Sequence, residues 1–247
     1  MTSTDSHYAS IAASYNELWT YSDAYIDEMT SNIIDVLGLR SEHVFADVGG
    51  GTGLYARRIR DCVQPDAPIL VVDPSEGMLK SLGDEPGICA IRASADVFAQ
   101  DRKTSVDRIL LKEVVHHFDD LDTTLNALSA TLLSEGRMLV IMLPPTIDYP
   151  LFEGALKRYE ELQPHYNEVV ASMQRAGLAV STEQRTINYE VPKARYLEMT
   201  RRRYMSVLSE FDDEQLAAGV AEMAQNITAD PIVVPDRFVY ISGSVTT

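Results

Sequence analysis

Apolar residues at the start of the chain recur at helical spacing. Ile11, Tyr15, Leu18 and Trp19 fall on one face, and Ile26, Met29, Ile33, Ile34 and Leu37 on another. Gly38 supplies a helix stop. From Val44 the pattern changes. Short apolar runs at 44–46, 69–72, 88–91, 106–111 and 138–143 alternate with amphipathic stretches at 54–62, 76–82 and 121–133. Alternating strand and helix predicts a parallel sheet with helices on both faces and right-handed crossovers. Pro144 and Pro145 close the fifth run. Beyond it the spacing predicts helices over 151–162 and 166–176, the second ended by Gly177, and a strand over 178–187. Residues 193–224 are helical again, with Asp212 and Asp213 near a helix start, and 233–243 form a last strand.

No internal repeat or low-complexity segment interrupts this order. The whole chain, 1–247, therefore reads as one domain, with N-terminal helices over 8–38 and helical additions at about 147–176 and 192–228.

Composition narrows the partners. Apolar residues make up 45% and charged residues 23%, an ordinary globular balance. The net charge of −16 repels phosphate backbones and anionic lipid, which argues against nucleic acid and membrane surfaces. The two cysteines, Cys62 and Cys89, form neither a disulfide framework nor a metal-ligand pair. The first ten residues, MTSTDSHYAS, lack the basic and apolar regions of a signal peptide. No apolar run approaches the roughly 20 residues that span a bilayer. The expected setting is the cytoplasm. No His/Cys/Asp/Glu group has metal-ligand spacing, so no metal is expected, and no G-x-S-x-G elbow is present.

Candidate chemistry begins at Asp47-Val48-Gly49-Gly50-Gly51-Thr52-Gly53, between an apolar strand and an amphipathic helix. Glycines there let the backbone take positive φ or approach a ligand closely, and the helix start beyond offers free N–H groups. An acidic residue at Asp47 suits a cationic group better than a phosphate. Asp73 ends the next strand, 20 residues past Gly53, where a carboxylate accepts from ribose hydroxyls. These residues leave two cofactors open. Gly51-x-Gly53-x-x-Ala56 also matches the dinucleotide fingerprint, so an NAD-linked oxidoreductase is the rival reading.

Three segments, in order, carry a family resemblance. VFADVGGGTGLYA resembles motif I of the class I S-adenosylmethionine (SAM)-dependent methyltransferases. VVDPSEGML resembles their second motif, and DRILLKEVVHHFDD their fourth-strand motif. The match is firm over about residues 8–145 and loose beyond; RRRYMSVLSEFDDEQLAAG is similar to the same region of bacterial small-molecule methyltransferases. The resemblance implies a Rossmann-like α/β fold: a seven-stranded, mostly parallel sheet with an antiparallel last strand and a helical cap. It implies methyl transfer from SAM to a small molecule, a specialised metabolite being the expectation, with S-adenosylhomocysteine (SAH) as product. A protein that binds SAM without catalysis is a further alternative, and a homodimer is compatible with the family.

It also implies roles for individual residues. Asp47, Gly49, Gly51 and Gly53 would hold the methionine part of SAM, and Asp73 the ribose. Pro74 and Met78 would lie against the adenine, with Ser94, Ala95 and Asp96 at its edge. Relatives often carry Asp at the position of Ser94, which leaves that contact to Asp96 or to the backbone. Lys112 and Glu113 would lie beside the sulfonium and the acceptor. Tyr15 and Trp19 would close over the site, Tyr15 toward the cofactor and Trp19 toward the acceptor.

Methyl transfer from a sulfonium needs alignment and a dry cavity; a base is required only if the nucleophile must lose a proton. Glu113, His116 and His117 are the candidates for that base. Tyr149, Phe152, Tyr159, Tyr166, Tyr196 and Tyr204 are candidate pocket aromatics, with Tyr149 and Tyr196 foremost. The basic run Lys193, Arg195, Arg201, Arg202 and Arg203 offers Arg201 as a receiver for an anionic acceptor group, against a solvated helix face.

Overall fold

The computed structural model describes residues 22–100 and 105–245; the expected helix around Ile11, with Tyr15 and Trp19, lies outside them. The described chain opens on α1 (Asp23–Leu37), where the Ser22 hydroxyl accepts from the Tyr25 N–H and Gly38 turns the chain out at φ 55°. Its buried residues include Ile26, Met29, Ile33 and Leu37 of the stripe that the spacing predicts, joined by Tyr25 and Thr30, while Ile34 is half-buried.

Four strand–helix steps and a fifth strand follow: β1 (Phe45–Val48), α2 (Leu54–Val63), β2 (Ile69–Val72), α3 (Glu76–Leu82), β3 (Ile88–Ile91), α4 (Ala95–Gln100), β4 (Val106–Lys112), α5 (Leu121–Ser129) and β5 (Leu132–Met142). After them come α6 (Glu153–Leu162), α7 (Tyr166–Arg175), β6 (Leu178–Val191), α8 (Lys193–Arg201), α9 (Asp213–Asn226) and β7 (Ile232–Val245). The sheet has seven strands in the order β3-β2-β1-β4-β5-β7-β6, and β7 runs antiparallel to both of its neighbours. Two buried apolar clusters cover its faces. One gathers α1, α2, α6, α8 and α9; the other gathers α4, α5 and α7.

This order has a topological switch between β1 and β4, where the strands build outward in opposite directions. Open α/β sheets bind ligands in the crevice above such a switch. The glycine turn follows β1 and the histidine pair follows β4, so both motifs stand there. The order also decides against the NAD reading. Dinucleotide-binding sheets continue 3-2-1-4-5-6 with parallel strands, whereas here β7 inserts antiparallel between β5 and β6.

Three elements depart from the expected boundaries. The helix expected over 121–133 stops at Ser129, and β5 begins at Leu132, which pairs with Val106 across a register shift. Leu132 and Leu133 fit helical spacing, but Leu132 pairs with Val106 and Arg108 braces the turn that follows. Its guanidinium donates to the Asp107 and Glu135 carbonyls and to Leu37, the last residue of α1. The helical stretch expected over 193–224 is broken: Arg203 takes a left-handed turn at φ 54°, and Asp212 starts α9 with a full capping box. Finally, β6 and β7 pair from Leu178 opposite Val245 to Val191 opposite Ile232. Since β5 ends at Met142 opposite Val239, the segment from Ile232 to Phe238 projects past the carboxyl edge of the sheet. With α6, α8 and α9 it forms the cap.

Candidate functional site

The turn after β1 is tied to β2 from the start. The N–H groups of Gly49 and Gly50 both donate to the Val72 carbonyl, at 2.7 and 3.2 Å. Gly49, Gly51 and Gly53 all have positive φ, at 79°, 56° and 73°. Their reasons differ. A Cβ on Gly49 would strike Val114 and one on Gly53 would strike Leu82, both at 2.5 Å. A Cβ on Gly51 would meet nothing within 4 Å, so this glycine alone of the three faces open space.

Asp73 lies beside that space. Its carboxylate accepts from the Gly51 N–H at 3.0 Å and from the Ser75 N–H at 2.8 Å. Burial nonetheless pushes its carboxyl above the ordinary range, against the pull of those two bonds. Asp47 stands differently. It is 4% exposed, and its side chain makes no hydrogen bond among the described residues. Burial, with the charge of Asp73, pushes it up to about 7, although Lys112 pulls the other way. A buried carboxylate held without donors is a poor structural element and a good receiver for a cation.

Pro74 is exposed, while Met78 is buried in α3. Ser94, Ala95 and Asp96 open the short helix α4 after β3, with the Ser94 carbonyl accepting from Phe98. The order of strands sets these residues in sequence along the carboxyl edge, outward from the glycine turn.

On the other side of the switch, Lys112 ends β4 with its ammonium 5.2 Å from the Tyr55 ring centre and 5.0 Å from that of Phe238. Burial lowers its pKa, while Glu113, Asp236 and Asp47 act to raise it. Glu113 takes the left-handed backbone conformation, φ 54°, which is costly for a residue with a Cβ. That turn lets its carboxylate accept from the Leu143 N–H at 2.7 Å, at the end of β5. Burial pushes Glu113 up to about 7. His116 and His117 form a single 3₁₀ turn, their rings 3.9 Å apart. Burial takes His116 down to about 3, and its Nδ1 has no partner among the described residues. His116 is therefore neutral at physiological pH and a weak base.

The cap and the core beneath it bring Tyr149, Phe152, Tyr159, Tyr196 and Tyr204 into one apolar cluster, whereas Tyr166 packs on the other face of the sheet, stacked on His165. Tyr149 is 3% exposed and Tyr196 is fully buried, its hydroxyl 2.9 Å from that of Tyr204. Arg201 is not among them: it lies on an exposed face with Glu198 at 3.5 Å. The rest of the basic run is largely spent on structure. Lys193 donates to the carbonyls of Ala224 and Ile227 at the end of α9, and Arg203 pairs with Asp213. Among the described residues no group of acidic, histidine or cysteine side chains could hold a metal ion, and no helix is long and apolar enough to cross a membrane. A surface depression of about 590 Å³ between Asp120 and Arg175 is lined by none of the site residues.

Asp236 was not expected. It is fully buried and accepts hydrogen bonds from the hydroxyls of Tyr25 and Tyr149. The strand pattern carries its signal. Ile232, Val234, Phe238 and Tyr240 all point inward, and a period of two places Asp236 on the same face.

Comparison with known proteins agrees with this geometry. Residues 46–138 match a family described as a methyltransferase domain. The ubiquinone/menaquinone biosynthesis C-methyltransferase UbiE of Pasteurella multocida is 26% identical over 125 residues, 48% of this chain and 46% of that one. The matched segment thus spans about half the length of that relative. Among solved structures, a putative methyltransferase from an antibiotic biosynthesis pathway of Anabaena variabilis superposes with a TM-score of 0.65 at 16% identity, covering 88% of this chain and 97% of its own. The [4+2]-cyclase SpnF superposes at 0.66 and 12% identity, covering 99% and 95%.

Proposed function

We propose that the chain is a class I SAM-dependent methyltransferase, a reading supported by its match to a methyltransferase domain over residues 46–138 and by its fold, and that it transfers a methyl group from SAM to a small-molecule acceptor, a specialised metabolite being the expected kind. The observation that carries this is Asp47, a buried carboxylate without donors at the end of β1, followed by a turn in which Gly51 has an open side that would admit a ligand. Those residues fit SAM: the amino group of its methionine part is the cation that Asp47 lacks.

Asp47 and the backbone of Gly49, Gly51 and Gly53 would hold the methionine part. Asp73 would receive the ribose hydroxyls. Met78 and Pro74, with Ser94, Ala95 and Asp96, would bound the adenine. When bound, the cofactor supplies an activated methyl group on a sulfonium that leaves as a neutral thioether. The chain then has three tasks: to align the acceptor, to exclude water and to take up a proton where the nucleophile carries one. Glu113 is placed for the last. Its carboxyl titrates near 7, which suits a base at neutral pH, and the Leu143 N–H fixes its direction. His116, titrating near 3, serves as a neutral wall, and His117 lies against it.

Likeness to a cyclase is a reminder that this fold also hosts other chemistry. Incubation with methyl-labelled SAM and a metabolite extract separates the readings. Label in a small-molecule product is the expected result; tight SAM binding with no labelled product would mean a non-methylating role.

A further inference from the structure

The ends of β1 and β4 bring opposite charges onto one face of the sheet. Asp47 pairs with Leu110 across these strands, so Lys112, two residues on, stands on the same face. Strand spacing and rise set their Cα atoms roughly 8 Å apart. The glycine turn folds back on Asp47: a Cβ on Gly50 would stand 2.8 Å from its carboxylate. Lys112 directs its ammonium between the rings of Tyr55, in the first turn of α2, and Phe238, in β7, at 5.2 and 5.0 Å from their centres. Among the described residues neither charge forms a hydrogen bond or an ion pair, not even with the other. Lys112 is half-buried, so part of its surface is open.

Packing does not require an ammonium at this point. Two ring faces hold a cation, but methionine would fill the same slot without the cost of drawing a charge out of water. A sulfonium is a poor partner, because it repels an ammonium. The position suits an anion. SAM and SAH carry one, the α-carboxylate, on the same carbon as the amino group that Asp47 would receive. The other charged side chains about these strand ends are acidic: Asp47 in β1, Asp73 after β2 and Glu113 after β4. A carboxylate placed among them needs the opposite charge that Lys112 holds.

We propose that Lys112 receives the α-carboxylate of the methyl donor and completes, with Asp47, a clamp on both charges of its methionine part. The proposal rests on the SAM reading and moves Lys112 from the sulfonium to the far end of the donor's amino acid. A zwitterion with both charges on one carbon fits between an anion and a cation that share a face and do not pair with each other.

Calorimetric titration with three adenosine thioethers tests this: SAH, its decarboxylated analogue S-adenosyl-3-thiopropylamine, and 5′-methylthioadenosine, which lacks the amino group as well. The unaltered protein should bind SAH about tenfold or more tightly than the decarboxylated analogue, as a charge-assisted bond requires. Lys112→Met should remove most of that gap, leave the affinity for 5′-methylthioadenosine unchanged and hold the melting temperature. Lys112→Gln removes the same charge and gives the same reading if the methionine variant does not fold. Equal binding of SAH and the decarboxylated analogue, or an equal fall for all three probes in the variants, would overturn the proposal. So would a gap that survives loss of the charge, which would mean that backbone N–H groups hold the carboxylate. Failure of the unaltered protein to bind both SAH and 5′-methylthioadenosine would overturn the donor site itself, and the proposal with it.

Discussion

The hydroxyl of Tyr149 donates a hydrogen bond to the carboxylate of Asp236, fastening the segment after β5 to the start of β7. Tyr25 of α1 donates to the same carboxylate. One buried anion therefore ties together three parts of the chain that are remote in sequence, directly above the carboxyl ends of the strands. It fixes the cap over the crevice.

Removing that anion should loosen the cap. Asp236→Ala leaves two buried tyrosine hydroxyls without this acceptor, at about 1–3 kcal/mol each, so a total loss of about 2–6 kcal/mol is expected. Asp236→Asn keeps an acceptor oxygen and should lose less. Chemical denaturation of the two variants checks this; equal stability of Asp236→Ala and the parent would show that the tyrosines are satisfied elsewhere.

Gly49 and Gly51 should fail in different ways. Alanine at Gly49 is strained by its φ of 79° and collides with Val114, so it should lower the melting temperature. Alanine at Gly51 is strained by its φ of 56° but collides with nothing. Its methyl group would occupy the open side of the turn, so its main effect should be on SAM affinity. Thermal melts with and without SAM separate the two, and equal loss of affinity at equal loss of stability would contradict the distinction.

Stability and binding should both depend on pH, in opposite senses. Asp47 and Glu113 titrate near 7 in the fold, above the ordinary carboxylate range. The folded protein therefore holds protons that the unfolded chain has released, and stability present at low pH is lost as pH rises through about 7. His116, titrating near 3, has the reverse effect, but only below its unfolded pKa of about 6.5. Between pH 6.5 and 8 the carboxylates act alone, so the free protein should melt lower at pH 8. A cation beside Asp47 favours the charged form, so SAM affinity should rise up to about pH 7 and then level off. Titrations in buffers of different ionisation enthalpy should show proton release near pH 6; its absence would mean that Asp47 is not the group that meets the cation.

Much of this was legible in the sequence. The turn at Asp47–Gly53, Asp73 and the Lys112–His117 segment lie on short local patterns, and local patterns survive folding. What the sequence could not show is which glycine faces space, because Gly51 and Gly49 look alike until Val114 is placed. Nor could it show that Lys193 and Arg203 serve helix ends and a neighbouring aspartate, which turned a suspected anion receiver into scaffolding. Asp236 was hidden for a similar reason. Its partners Tyr25 and Tyr149 are 211 and 87 residues away, and nothing in a strand pattern announces a bond of that reach. The break at β5 shows the limit of periodicity: Leu132 suits a helix, and its pairing with Val106 makes it a strand.

The central claim is that the turn after β1 holds SAM, with Asp73 on its ribose. Its most direct test is equilibrium binding of SAM and NAD to the unaltered protein and to Asp73→Ala. The unaltered protein should bind SAM and ignore NAD, and Asp73→Ala should weaken SAM binding by about 1–3 kcal/mol through lost buried hydrogen bonds to a charged group. NAD binding without SAM binding, or a SAM affinity unchanged in Asp73→Ala, would contradict it.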